Sequence, residues 1–251
     1  MTAGKGSVKV IVVIPARYGS SRFAGKVVAD QTGKFLVQHT YERALCAKTV
    51  DEVLIATDSD KVLDACKSFG CKCVMTSAEH VSGTDRIAEA AGDIEADIVI
   101  NLQDDEPEIA PECIDQLAGL LKQDPSADMA TLAAPFDSVE EIADPNIVKV
   151  VVDGNGRALY FSRSIIPYDR AAGGAGRASD YLRHLGIYAY RKDFLLKYAA
   201  MPQTALEKCE KLEQLRAIEN GFTIITGIVE HGWPGIDTAE QYAAFVQRYA
   251  K

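Results

Sequence analysis

The chain has 251 residues, 47 % of them apolar, with 27 Lys+Arg against 36 Asp+Glu for a formal charge of −9. That length fits one α/β domain of roughly 200–250 residues, and no window approaches the ~18 uninterrupted apolar residues of a membrane span. Collagen-like and disordered classes are excluded by the same composition, and an acidic chain repels a polyphosphate backbone, so neither nucleic acid nor membrane is expected as a partner.

Val8–Pro15 is a near-continuous apolar, β-branched run, the pattern of a strand covered on both faces. A polar, Gly-containing loop from Ala16 to Lys34 follows, after which Leu36, Val37, Thr40, Tyr41, Ala44 and Leu45 recur at helical spacing. Val53–Thr57 predicts the next strand, and Asp58 is placed to cap a helix that runs to Phe69 and stops at Gly70. Cys73–Thr76 reads as a short strand, Thr84–Ala91 as a short helix, Asp97–Leu102 as a buried strand, Pro111–Lys122 as a helix and Met129–Ala134 as a strand. This alternation predicts an α/β fold with an open, mostly parallel, doubly wound sheet. Ligands bind such sheets outside the carboxyl ends of the strands.

From about residue 137 the texture changes. Val148–Val152, the turn Asp153-Gly154-Asn155-Gly156 and Ala158–Phe161 predict a β-hairpin, and Ala171–Gly176 a mobile surface loop. Leu185–Tyr190 returns as a strand. Thr204-Ala205-Leu206-Glu207 is a capping box opening a helix that Gly221 ends, Thr223–Val229 is a late strand, and Thr238 caps the terminal helix. The reading is one domain over residues 1–251, with a smaller section at about 137–200 inserted before the core resumes. The six cysteines show no zinc spacing, and a domain of this size needs no disulfide staples, so reduced thiols are expected.

Two loops leave the carboxyl ends of buried strands with unusual chemistry. The first, Pro15-Ala16-Arg17-Tyr18-Gly19-Ser20-Ser21-Arg22-Phe23-Ala24-Gly25-Lys26, combines cations with glycines that let backbone N–H groups approach phosphate oxygens. It has neither the Walker A spacing nor G-x-G-x-x-G. The second, Asn101-Leu102-Gln103-Asp104-Asp105-Glu106-Pro107, concentrates carboxylates at a strand end, which is costly unless a cation offsets them. Mg²⁺ takes one or two carboxylates together with phosphate oxygens and water, so the two loops side by side read as a metal–nucleotide site. Asp237, left free because Thr238 can cap, is a candidate second metal ligand. Ser82-Gly83-Thr84-Asp85-Arg86 can hold an anion or a base edge at a helix start, or act as an ordinary cap. Arg163, Arg183-His184, Tyr190-Arg191 and Glu213-Gln214 suit a sugar acid in type, but no spacing rule makes them converge.

These segments, joined by Leu159-Tyr160-Phe161-Ser162-Arg163, Arg183-His184-Leu185-Gly186-Ile187-Tyr188, Leu212-Glu213-Gln214-Leu215-Arg216 and Asp237-Thr238, resemble the 3-deoxy-manno-octulosonate (Kdo) cytidylyltransferases from about Val10 to Tyr242. The resemblance implies a nucleotide-diphospho-sugar transferase-like fold and a reaction of CTP with Kdo to give CMP-Kdo and pyrophosphate, for lipopolysaccharide synthesis. By position it implies that Arg17 and Lys26 hold the triphosphate and that Asp105, with Asp237, binds magnesium. Ala16, Ser82 and Gln103 would lie around the nucleotide and the sugar acid, and Arg163, His184, Tyr190, Glu213 and Gln214 would line the sugar pocket. A homodimer through the later section and a cytoplasmic location, where CTP is found and no secretory signal leads away, are expected with it. The chain departs from the family pattern at Asp104, usually Gly, and at Ala24 and Ala205, usually Pro. An 8-amino analogue of Kdo or a sialic-acid relative would keep the same chemistry, and a nucleotide-binding protein without turnover is the alternative from another class.

Overall fold

Strand β1 (Val10–Ala16) is buried along its whole length, as its unbroken apolar run requires when helices cover both faces. The computed structural model of the protein describes residues 8–19 and 23–249; Ser20, Ser21 and Arg22 of the basic loop lie outside the described residues. Along the chain, β1 is followed by α1 (Leu36–Leu45), β2 (Glu52–Thr57), α2 (Asp60–Ser68), β3 (Cys73–Met75), α3 (Gly83–Gly92), β4 (Ile98–Asn101), α4 (Pro111–Gln123) and β5 (Met129–Pro135). Then come α5 (Val139–Ile142), β6 (Lys149–Val152), β7 (Ala158–Ser162), β8 (Leu182–Arg191), α6 (Lys192–Ala199), α7 (Ala205–Glu210), α8 (Leu215–Glu219), β9 (Ile224–Ile228) and α9 (Ala239–Tyr249).

The described strands form one sheet whose main order is β3-β2-β1-β4-β8-β5-β9. Strands β1, β2, β3 and β4 are mutually parallel, as are β5 and β9, while β8 runs antiparallel between β4 and β5. Alternate residues of β1 serve the two faces. Val10, Val12 and Ile14 pack with Val37 of α1 and Ile114 and Leu117 of α4. Ile11 and Val13 pack with Ile87 of α3 and Phe194 and Leu195 of α6. Because β1 and β4 are parallel and paired from Val10↔Ile98 to Val13↔Asn101, their carboxyl ends open at the same edge. The basic loop and the carboxylate loop therefore leave the sheet side by side.

Three details differ from the sequence reading. Asp58 does not cap α2; the helix starts one residue past Ser59, and the Asp58 carboxylate instead takes the Arg86 guanidinium at 2.5 Å. Arg86 is fully buried, and a charge so placed requires a partner. The segment from Thr204 to Gly221 is two helices, broken where Lys211 adopts a left-handed φ of 54°. Finally, β8 lies inside the section at about 137–200, yet it runs through the middle of the main sheet. The β6–β7 hairpin hangs from its start through Lys149↔Arg183 and Val150↔Leu182. All six cysteines are free thiols. Among the described residues, no helix is long and apolar enough to cross a membrane.

Candidate active site

After β1 the chain turns at Gly25, whose φ of 70° is the left-handed region that glycine occupies without penalty. The following 3₁₀ turn, Lys26–Val28, drives the Lys26 side chain inward until only 8 % of it is exposed. Its ammonium stands 2.7 Å from Asp105 Oδ2, 3.4 Å from Asp237 Oδ1 and 3.8 Å from Asp104 Oδ1, and it donates to the Ile236 carbonyl at 3.0 Å. One cation thus faces three carboxylates from two parts of the chain. Burial alone would depress the Lys26 ammonium, but the charges of Asp104, Asp105 and Asp237 carry it above its ordinary value. Burial and the neighbouring Asp105 push the Asp104 carboxyl up to about 8. Asp105 is raised by burial in spite of Lys26, and Glu106, also raised by burial first, reaches about 8. The site is short of positive charge. Its donors are hard oxygens, the set that suits a divalent cation sharing phosphate oxygens and water. Among the described residues, no three His, Cys, Asp or Glu side chains form a ready-made metal cage, so such an ion would draw its remaining donors from substrate and water.

A cavity of about 360 Å³ opens over this cluster, lined by Arg17, Lys26, Gln103, Asp104, Asp105 and Asp237 among others. Arg17 reaches across it to the carbonyls of His80 and, at 3.5 Å, Ser82. Ser82 caps α3: its hydroxyl accepts from the Asp85 amide at 3.0 Å, and the Asp85 carboxylate accepts from the Ser82 amide at 3.1 Å. The Ser82 hydroxyl is therefore spent on the helix, and its backbone is what meets Arg17. Ala16 ends β1 in the buried floor, opposite Thr57.

A second cavity, of about 170 Å³, adjoins the first and shares Gly83 and Gln103 with it. Thr84, Asn101, Tyr188, Tyr190, Glu213 and Gln214 line it. The Gln103 amide donates to Asn101 at 3.0 Å, while Thr84 lies beside Tyr190 and Glu213 in the same lining. Burial raises the Glu213 carboxyl, and its Oε1 has no hydrogen-bond partner among the described residues. A buried acceptor left open in this way is costly unless a ligand donates to it. A larger cavity, of about 510 Å³ between α1 and α9, contains none of these groups; chemistry rather than size selects the site.

The structure brings Arg17, Lys26, Gln103, Asp105 and Asp237 around one cavity and Gln103, Tyr190, Glu213 and Gln214 around the other. It does not bring Arg163 or His184 to either. Arg163 donates to the backbone carbonyls of Glu210 at 2.7 Å and Pro145 at 2.9 Å. His184 lies beneath the acceptor cavity, 2.9 Å from Thr131 Oγ1, and packs against the Tyr188 ring. Asn101, Tyr188 and Tyr198 line the second cavity although sequence reasoning did not select them. Of these only Asn101 carried a signal, as an amide closing the apolar strand Ile98–Asn101.

The cytidylyltransferase family model matches residues 11–224. A 3-deoxy-manno-octulosonate cytidylyltransferase of Escherichia coli is 49 % identical over 230 residues, 92 % of each chain. One from Solibacter usitatus is 47 % identical over 234 residues, 92 % of this chain and 91 % of its own. The solved structure of CMP:2-keto-3-deoxy-manno-octonic acid synthetase complexed with CTP superposes with a TM-score of 0.91 at 47 % identity, covering 96 % of this chain and 98 % of that one. With a cation ringed by carboxylates at the sheet edge and a polar cavity beside it, the chain belongs to the cytidylyltransferase family, among the 3-deoxy-manno-octulosonate cytidylyltransferases.

Proposed function

We propose that the protein transfers CMP from CTP to the anomeric hydroxyl of Kdo, releasing pyrophosphate, with magnesium as cofactor. The observation that carries this reading is the pair of joined cavities. One has Arg17 and Lys26 for a triphosphate and surplus carboxylates for a metal; the other has hydroxyls, amides and a carboxylate whose Oε1 has no partner among the described residues, for a polyol. In the reaction the anomeric hydroxyl gives its proton up to water as its oxygen forms a bond to the α-phosphorus, while the bond from that phosphorus to the bridging oxygen of pyrophosphate breaks. Lys26 stands where charge accumulates on the departing phosphates, a stabilisation that works because the cation is already in place. Asp105 and Asp237 would hold the magnesium ion, which supplies further neutralisation of phosphate charge when bound. Gln103, common to both cavities, is placed to orient the acceptor against the nucleotide, and such positioning is a large part of the rate. Tyr190, Glu213 and Gln214 would hold the sugar hydroxyls. A cytoplasmic location, where CTP is available, goes with this reading. So does a homodimer through the later section, where Leu159 and Tyr168 are 57 % and 65 % exposed.

Pyrophosphate release with CTP, Mg²⁺ and Kdo tests it, with UTP and a sialic acid as parallel donor and acceptor controls and a chelator arm. Release with CTP and Kdo alone, abolished by the chelator, is expected. A strong preference for another ulosonic acid would displace Kdo, release that survives the chelator would displace magnesium, and CTP binding without turnover on any acid would leave a non-catalytic protein.

A further inference from the structure

Away from the reaction site, the cavity of about 510 Å³ between α1 and α9 has a volume usual for a small-molecule site. One side of it is aromatic. Phe245 and Tyr249 meet the His39 ring edge-on, at 5.1 and 4.6 Å between centroids. His39 is 6 % exposed and its Nε2 stands 2.7 Å from Thr32 Oγ1. Burial, followed by the Lys34 charge, holds its pKa below the ordinary value. An imidazole so placed is neutral at pH 7 and adds ring surface rather than charge.

The charged groups that line the cavity are matched, with one exception. Glu42 takes the Lys34 ammonium at 2.6 Å, and Glu108 takes Nε and a terminal nitrogen of Arg248. Arg43, half-buried in the wall, donates through Nε to the Ile109 carbonyl at 2.8 Å. Among the described residues its two terminal nitrogens have no hydrogen-bond or ion-pair partner. The bond to Ile109 anchors the guanidinium, and its open N–H groups form a fork that suits a planar or tetrahedral anionic group. An aromatic wall beside an anchored, unanswered guanidinium complements a flat ring that carries a negative charge.

The two walls of this cavity also support the carboxylate cluster. From α1, Thr40 and Arg43 hold both ends of the acidic loop, donating to the carbonyls of Asp104 at 3.2 Å and Ile109 at 2.8 Å. From α9, Gln241 accepts from the Asp237 amide at 2.7 Å. We propose that the cavity is an effector site for an aromatic anion, which lies against His39, Phe245 and Tyr249 with its charge on Arg43. An occupant wedged between α1 and α9 draws the Asp104–Ile109 loop away from Asp237 and weakens the binding of CTP. The coupling to CTP rests on the reading of the protein as a cytidylyltransferase, whereas the site itself does not.

The probe is 8-anilino-1-naphthalenesulfonate, with N-phenyl-1-naphthylamine, the same rings without the sulfonate, as its neutral counterpart. Both are titrated by fluorescence against the wild type, Arg43→Gln and Cys46→Trp, the last placing an indole at an exposed position of the cavity wall. Arg43→Gln is expected to weaken the sulfonate roughly tenfold to a hundredfold, the range for a lost hydrogen bond to a charged group, and to leave the neutral probe unchanged. Cys46→Trp excludes both. In the wild type the bound sulfonate slows alkylation of Cys46 by iodoacetamide, while Cys209, the other exposed thiol, reacts as before. CTP with Mg²⁺ weakens the sulfonate by at least about fivefold, to a plateau, and calorimetry shows the sulfonate weakening CTP by the same factor. Equal losses for both probes in Arg43→Gln, no loss for either, or an unprotected Cys46 would overturn the site. Displacement by CTP without a plateau would put the probe in the nucleotide cavity and overturn it as well, and independent binding of the two would overturn the effector role. A wild type that binds no CTP would overturn the cytidylyltransferase reading and the coupling, with protection of Cys46 still deciding the site.

Discussion

Lys26 and Lys149 are both cut off from solvent, at 6 % and 0 % exposure, yet their surroundings are opposite. Lys149 donates to three backbone carbonyls, of Asp144 at 3.0 Å and of Ile147 and Arg163 at 2.7 Å each. Three donors meet three acceptors, and the ammonium has nothing left to offer a ligand. Burial lowers its proton affinity, Asp144 offsets this only in part, and the repulsion of Arg163 lowers it further. Lys26 faces one carbonyl and three carboxylates, and its proton affinity is raised. Burial is therefore common to a lysine that pins the start of a hairpin and one that lines a reaction site. Surplus charge around it separates the two. A net excess of carboxylate has no structural use in a dry cluster, and it becomes intelligible once a polyphosphate and a divalent cation share the space.

Removing each ammonium should break the two regions in different ways. Lys26→Met is expected to lower turnover by roughly 10²–10³-fold, the usual loss when one group stabilising transition-state charge is deleted. Its midpoint of denaturation should move little, because burial raises the Asp104 and Asp105 carboxyls, so that uptake of a proton can relieve the repulsion left when the ammonium is removed. Lys149→Met should do the reverse. It strands three buried carbonyls, which costs about 3 kcal/mol of unfolding free energy, while the KM for CTP in the folded fraction stays at the wild-type value. Denaturant titrations paired with steady-state kinetics separate the outcomes. A Lys149→Met variant that loses CTP affinity, or a Lys26→Met variant that unfolds with its activity intact, would erase the distinction.

The sequence carried the first half of the fold well because physics there is local. The Val10–Ala16 strand, covered on both faces, needs an unbroken apolar run, and Ser82 with Asp85 three residues on is a cap that spacing alone reveals. Long-range charge pairing was not legible. Asp58 has every feature of a cap until Arg86, 28 residues later, claims its carboxylate. The break at Lys211 was hidden for a related reason: a left-handed glycine such as Gly221 advertises itself, whereas a left-handed lysine is held there by Arg163 from 48 residues away. The two acidic and basic loops could be placed together from sheet topology, and they are. Which of the later polar residues reach the acceptor cavity depended on the path of β8 through the middle of the sheet. That path turns Tyr188 and Tyr190 to the cavity and leaves His184 behind them.

His184 is a third kind of buried base, and it sharpens the contrast between the lysines. Among the described residues it has neither counter-charges nor a cage of carbonyls, only Thr131 Oγ1 at 2.9 Å and the rings of Phe161 and Tyr188 at 4.9 and 5.4 Å between centroids. A base in such a place gives up its proton, and burial lowers its pKa from 6.5 to about 3. In the unfolded chain the imidazole regains its ordinary affinity. Between those two values the unfolded state binds a proton that the folded state refuses, so the contribution of His184 to stability is complete above pH 6.5 and declines as the pH falls toward 3. The decline amounts to at most about 1.4 kcal/mol per pH unit. His184→Gln cannot take up that proton. Its unfolding free energy, followed by denaturant titration from pH 7 to pH 4, should fall less steeply than that of the wild type by up to this slope, with the two curves parallel above pH 7. Equal slopes would mean that the folded protein accommodates an imidazolium at this position. In that case the carboxylates around Lys26 and the carbonyls around Lys149 would no longer be what decides whether a buried base in this fold keeps its charge.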